Sequence, residues 1–123
     1  MHIKFSKEVT YLPEFEGDRD LPPEDQITAK LQPMELGELL DLREAFTNAG
    51  FEQGSVEQMT SKQMRAVLSQ AGFFIPKYAK LEGNANFTLD DIVRYAPFFG
   101  LAIELLFQLL SISSPNQDDE KNS

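Results

Sequence analysis

The chain has 123 residues, 41% of them apolar and 25% charged, which is the size and makeup of one globular domain. Twenty acidic against eleven basic residues leave a net charge of −9, and the basic residues do not cluster, which argues against a nucleic-acid partner. There is no cysteine, and the one histidine is His2, so disulfides, thiol chemistry, Cys-ligated zinc and a His-based triad or metal site are not expected.

The N-terminal residues 1–11 carry charges and lack the apolar run of a signal peptide, so the expected location is the cytoplasm. Ile3, Phe5, Val9 and Tyr11 alternate with polar residues, predicting one or two short strands that Pro13 ends. Residues 14–25 are acidic, contain Gly17, Pro22 and Pro23, and read as an exposed loop. Ile27, Ala29 and Leu31 alternate again, so residues 26–32 predict a strand pairing with the first in a hairpin with a long loop.

Pro33 suits a helix start. Leu36, Leu39, Leu40, Leu42, Phe46 and Ala49 form an apolar stripe, and Gly50 stands where a left-handed cap belongs, which predicts a helix over 34–49. Residues 51–59 read as a loop. Thr60 and Gln63 have the capping-box spacing, followed by Met64, Val67, Leu68 and Ala71 at helical spacing; Gly72 is expected to close this second helix, with Pro76 preventing simple continuation. Residues 77–82 fit a helical turn or a short strand, and 83–86 a turn. Thr88 caps a third helix with Asp90 and Asp91 in its first turn, and Pro97 breaks or kinks it.

Residues 98–112 predict a fourth helix that is apolar at eleven positions. The exceptions, Gly100, Glu104, Gln108 and Ser111, fall in one narrow stripe. An ordinary surface helix has the reverse balance. A membrane span needs about 20 predominantly apolar residues, and this run is fifteen residues long with Glu104 near its middle. Two readings remain: a core helix wrapped by the rest of the domain, or a helix shared between the core and an apolar partner. Phe98, Leu101, Leu105, Phe107 and Leu109 are the candidate contributors to core and contact surface. The plan is therefore mainly α with a short N-terminal β-hairpin (α+β) and about four helices, one very apolar. It divides into an extended or hairpin segment over 1–33, a helical domain over 34–112 and a disordered acidic tail over 113–123.

Two stretches faintly follow the rhythm of a calcium-binding helix–loop–helix. In the second, residues 80–91, Lys80 stands where the first anionic ligand belongs, Ala85 where glycine turns the loop, and Asp91 where a bidentate Glu closes it. A degenerate regulatory module of that type is thus an alternative, without a metal. No phosphate-binding Gly-rich loop, nucleophile elbow or H-E-x-x-H occurs, so no catalytic residue, cofactor or enzymatic activity is expected.

The opening Tyr11-Leu12-Pro13-Glu14-Phe15-Glu16-Gly17-Asp18-Arg19-Asp20-Leu21-Pro22 followed by Asp25-Gln26-Ile27, the middle Tyr78-Ala79-Lys80-Leu81-Glu82-Gly83, and the ending Glu120-Lys121-Asn122-Ser123 after an apolar helix resemble the small tail assembly chaperones of long-tailed bacteriophages. The resemblance implies a non-catalytic, self-associating protein that coats the aggregation-prone tape measure protein in the host cytoplasm and is absent from the finished virion. It also implies a minority product extended by a ribosomal frameshift, which would reach the tail tube protein; Glu120-Lys121-Asn122 is encodable as GAA AAA AAC, a slippery run. The rival expectation is a structural tail or head-completion component retained in the particle. Neither membrane nor nucleic acid is expected as a partner.

Overall fold

In the computed structural model, residues 8–50, 59–83 and 85–114 are described. The alternation at Ile27, Ala29 and Leu31 becomes β2 (Ile27–Leu31), the middle strand of an antiparallel sheet, with these three side chains buried and Thr28 and Lys30 turned outward. On one side it pairs with β1 (Val9–Tyr11), Val9 opposite Leu31 and Tyr11 opposite Ala29. On the other it pairs with β3 (Ala79–Gly83), Leu31 opposite Ala79 and Ile27 opposite Gly83. The expected hairpin is thus two strands of three, and the segment 77–82 resolves into a strand because β2 offers it a ladder. Gly83 closes that ladder with φ +103, where an added Cβ would stand 2.5 Å from the Gln26 carbonyl oxygen. Ile3 and Phe5 lie outside the described residues.

The connection between β1 and β2 is more ordered than an exposed loop. It forms two 3-10 turns, Phe15–Asp20 and Pro23–Asp25, and Glu16 and Gly17 adopt left-handed backbone at φ 53 and 71. Glu16 sits there without glycine's freedom, a local cost of roughly 1–2 kcal/mol. Most of the segment is exposed, but Asp18 is 5% exposed, and its Oδ1 accepts the Ile27 N–H at 2.8 Å.

The helices are α1 (Leu36–Asn48), α2 (Ser61–Tyr78), α3 (Leu89–Arg94) and α4 (Phe99–Ser113), making the fold α+β. α1 starts later than Pro33 implies, with Glu35 as its N-cap, and Gly50 adopts the expected left-handed conformation (φ 83). The capping boxes Thr60–Gln63 and Thr88–Asp91 both close reciprocally. α2 does not end at Gly72. It continues through Pro76 to Tyr78 because its last turns bury Phe74, Ile75 and Tyr78 in the core, which offsets the hydrogen bond Pro76 cannot donate to the turn before it. The loop expected over 51–59 lies outside the described residues except for Met59, as does the acidic tail beyond Ser114.

α4 is the hub of the core. Leu101, Ala102, Ile103, Leu105, Leu106 and Leu109 are buried, and α2, α3 and α1 all pack against it. The polar stripe is engaged at two points, though Gly100 and Ser111 stay exposed: Phe15 lies beside Gly100, with ring carbons 3.4–3.5 Å from where a Cβ would stand, and Glu104 accepts from the Tyr11 hydroxyl and from the Glu14 N–H at 2.7 Å. At the far end the Met34 N–H donates to Ser113 Oγ at 2.8 Å. The continuous helical stretch Ala96–Ser113 has 18 residues and a mean hydropathy of 1.6, so by length and composition alone it suffices to cross a membrane. The helix is thus longer than the fifteen-residue run predicts, and shortness does not distinguish it from a membrane span. Packing accounts for one side of it: Leu101, Ala102, Ile103, Leu105, Leu106 and Leu109 are buried by the rest of the chain, while Phe107 stays 40% exposed.

Candidate partner-binding surface

The capping box at Thr60 fixes where α2 begins, and the sheet fixes where it ends. Between them the helix turns Val67, Ala71, Phe74 and Ile75 inward. Met64 and Leu68, one turn apart on a neighbouring face, remain 39% and 38% exposed. Across from them, α3 stops at Arg94 because Tyr95 is extended (φ −108, ψ 137), and a 3-10 turn Ala96–Phe98 leads into α4. Tyr95 is 52% exposed. Met64, Leu68, Tyr95, Ala96 and Phe99 thus line an open groove of about 410 Å³, with Arg94 at its edge. The Arg94 guanidinium is 3.3 Å from Asp90 and both side chains are exposed.

The groove offers apolar surface and one cation at its rim. Full burial of a Leu, Met or Phe side chain is worth roughly 1.5–3 kcal/mol, so covering even the exposed parts of several drives association. Methionine, with its flexible thioether, fits itself to varied apolar shapes.

The five residues expected to carry contact separate in space. Leu101, Leu105 and Leu109 are fully buried and belong to the core. Phe98 is half-buried between Phe87, at a ring-centroid distance of 4.7 Å, and Phe15, at 6.4 Å. Phe107 is 40% exposed and leans on Phe46, ring centroids 5.7 Å apart. The groove residues Met64 and Leu68 were visible in the sequence only as part of the α2 core stripe, and Tyr95 carried no signal beyond its place before Pro97. The helix–loop–helix reading of residues 80–91 meets an obstacle: Lys80 and Glu82 are ladder residues of β3, opposite Lys30 and Thr28, and not positions in a loop. Among the described residues, no group of three His, Cys, Asp or Glu side chains gathers as for a metal ion.

Two polar networks tie elements of the fold together. Burial, followed by the hydrogen bond to Glu104, pushes the Tyr11 hydroxyl well above its ordinary value, and Arg19 sits over the Tyr11 ring at 5.7 Å while its Nε donates to the Leu12 carbonyl at 2.7 Å. In the second, Lys77 donates to both oxygens of Glu38 at 2.8 Å, and the Tyr78 hydroxyl donates to the same carboxylate. The Lys77 bond, then the Tyr78 bond, hold the Glu38 carboxyl below its usual range. This second network ties α1 to the end of α2.

No protein-family model, curated protein or solved structure matches the chain.

Proposed function

We propose that this chain is a non-catalytic phage tail assembly chaperone that binds and solubilises the tape measure protein. The observation that carries the reading is the exposed apolar groove between α2 and the α3–α4 junction, lined by Met64, Leu68, Tyr95 and Phe99. An amphipathic client helix laid in such a groove buries its apolar stripe, a recurring mode of helix recognition. The net charge of −9 keeps a crowded complex soluble. Sequence motifs at 11–27, 78–83 and 120–123 support the same reading. In this account copies of the chain also associate with one another, the complex forms in the host cytoplasm, and a frameshift-extended minority form reaches the tail tube protein.

The burial of Leu105 moves the decisive variants to the surface. Co-expression with a tape measure protein provides the test. The wild type keeps that protein soluble, and the double variant Met64→Glu/Leu68→Glu folds, by circular dichroism, but leaves it in the pellet. Undiminished solubilisation by the folded double variant would refute the groove as the contact. Mass spectrometry of purified virions adds a second arm: a chaperone is absent, whereas fixed stoichiometry in the particle overturns the assignment in favour of a structural component.

A further inference from the structure

A second concave site shares no lining residue with the α2 groove. The 3-10 turn Phe15–Asp20 and the residues on either side of α3 border an open, shallow pocket of about 270 Å³ lined by Phe15, Phe87, Phe98, Leu21 and Asp18, with Glu16 also in its wall. Ordinary small-molecule pockets run from roughly 300 to 1,000 Å³, so this one falls just below that range. Phe87 and Phe98 pack at 4.7 Å between centroids, and Phe15 faces Phe98 at 6.4 Å.

We propose that this pocket takes the basic side chain, lysine or arginine, of a protein partner. Asp18 is 5% exposed, and among the described residues one of its oxygens is used: Oδ1 accepts the Ile27 N–H, while Oδ2 is buried with no hydrogen-bond partner among them. A buried carboxylate oxygen without a donor is unfavourable, and a cationic donor satisfies it best. Aromatic faces attract the same cation, and apolar walls accept the methylene stem that carries it. The excess of acidic residues steers a basic partner toward the chain. Phe15, half-buried at the start of the turn that holds Glu16 in left-handed backbone, forms one wall of the site. This inference does not rest on the chaperone reading and survives or fails apart from it.

The test is NMR of the full chain labelled at phenylalanine, titrated with Nα-acetyl-arginine methylamide, Nα-acetyl-lysine methylamide, the uncharged norleucine analogue and methylammonium chloride. The capped arginine or lysine shifts the Phe15, Phe87 and Phe98 ring signals saturably; the norleucine analogue does not, and methylammonium, which lacks the stem, binds at least several-fold more weakly. Asp18→Asn retains an oxygen for the Ile27 N–H and weakens binding at least tenfold with an unchanged melting temperature. If that variant fails to fold, Phe87→Leu decides, with a several-fold loss expected from the missing ring face. No response to either cation, equal binding of norleucine or methylammonium, or full-strength binding by the folded Asp18→Asn or Phe87→Leu variant would overturn the proposal.

Discussion

The Tyr11 hydroxyl donates to the Glu104 carboxylate across 93 residues of chain. It joins β1 to the one narrow polar stripe of the most apolar helix, and the Glu14 N–H completes the capture at 2.7 Å. The charge that interrupts the apolar run of α4 is thus an attachment point for the N-terminal segment. A hydrogen bond to a charged group contributes about 1.5–3 kcal/mol; because the Glu14 N–H remains in the variant, Tyr11→Phe is expected to lower the unfolding free energy by about 1–2 kcal/mol in urea at neutral pH. An unchanged midpoint would show that the segment is held by Phe15 on Gly100 alone.

The two networks make stability fall at both ends of the pH scale. Tyr11 and Tyr78 are both raised above the ordinary tyrosine value of 10.0, by burial first and then by the carboxylates they face. Their protonated forms are favoured in the fold, so this contribution is complete below pH 10 and is lost as pH rises through the raised values. Glu38 is lowered from 4.5, so its contribution is present above that pH and is lost as pH falls through the lowered value. Denaturation midpoints followed across pH should therefore drop on both sides, with Tyr11→Phe flattening the alkaline limb and Lys77→Met the acid limb.

Core and groove should respond differently to a carboxylate. Leu105→Asp places a charge at a fully buried position of α4 and is expected to unfold the chain outright, since even Leu→Ala in a core costs about 2–5 kcal/mol. Leu68→Glu, at a partly exposed position, should change the melting temperature by only a few degrees, about 1 kcal/mol or less. Thermal melts of the two single variants check the contrast, and a Leu68→Glu chain that does not fold contradicts the assignment of that face to solvent.

Gly83→Ala tests the sheet. The added methyl meets the Gln26 carbonyl oxygen at 2.5 Å from a backbone at φ +103, so the β2–β3 ladder must shift at its end. A loss of about 1–3 kcal/mol is expected from a residue forced into this backbone region, and hydrogen exchange should show the amides near Ile27 opening first.

Local chemistry was legible in the sequence. The caps at Thr60 and Thr88 and the left-handed Gly50 depend on residues within a few positions and were read directly, as was the alternation that makes β2. Long-range chemistry was not. Gly72 and Pro76 signal a helix end, yet Phe74, Ile75 and Tyr78 gain more from burial than those residues cost, and only the packed core reveals that. β3 exists because β2 stands beside it. The same limit explains α4: its composition demands cover, but whether the cover is the rest of the chain or a partner depends on where Phe15, Tyr11 and α2 come to lie. Asp18, in a stretch that reads as exposed loop, gave no sign of burial.

Photo-crosslinking in infected cells tests the central proposal most directly. With benzoylphenylalanine in place of Leu68, irradiation should join the chain to the tape measure protein, while the same group in place of Phe107, on the face that leans on Phe46, should not. An adduct from position 107 with none from position 68 would contradict the proposal that the α2 groove holds the client.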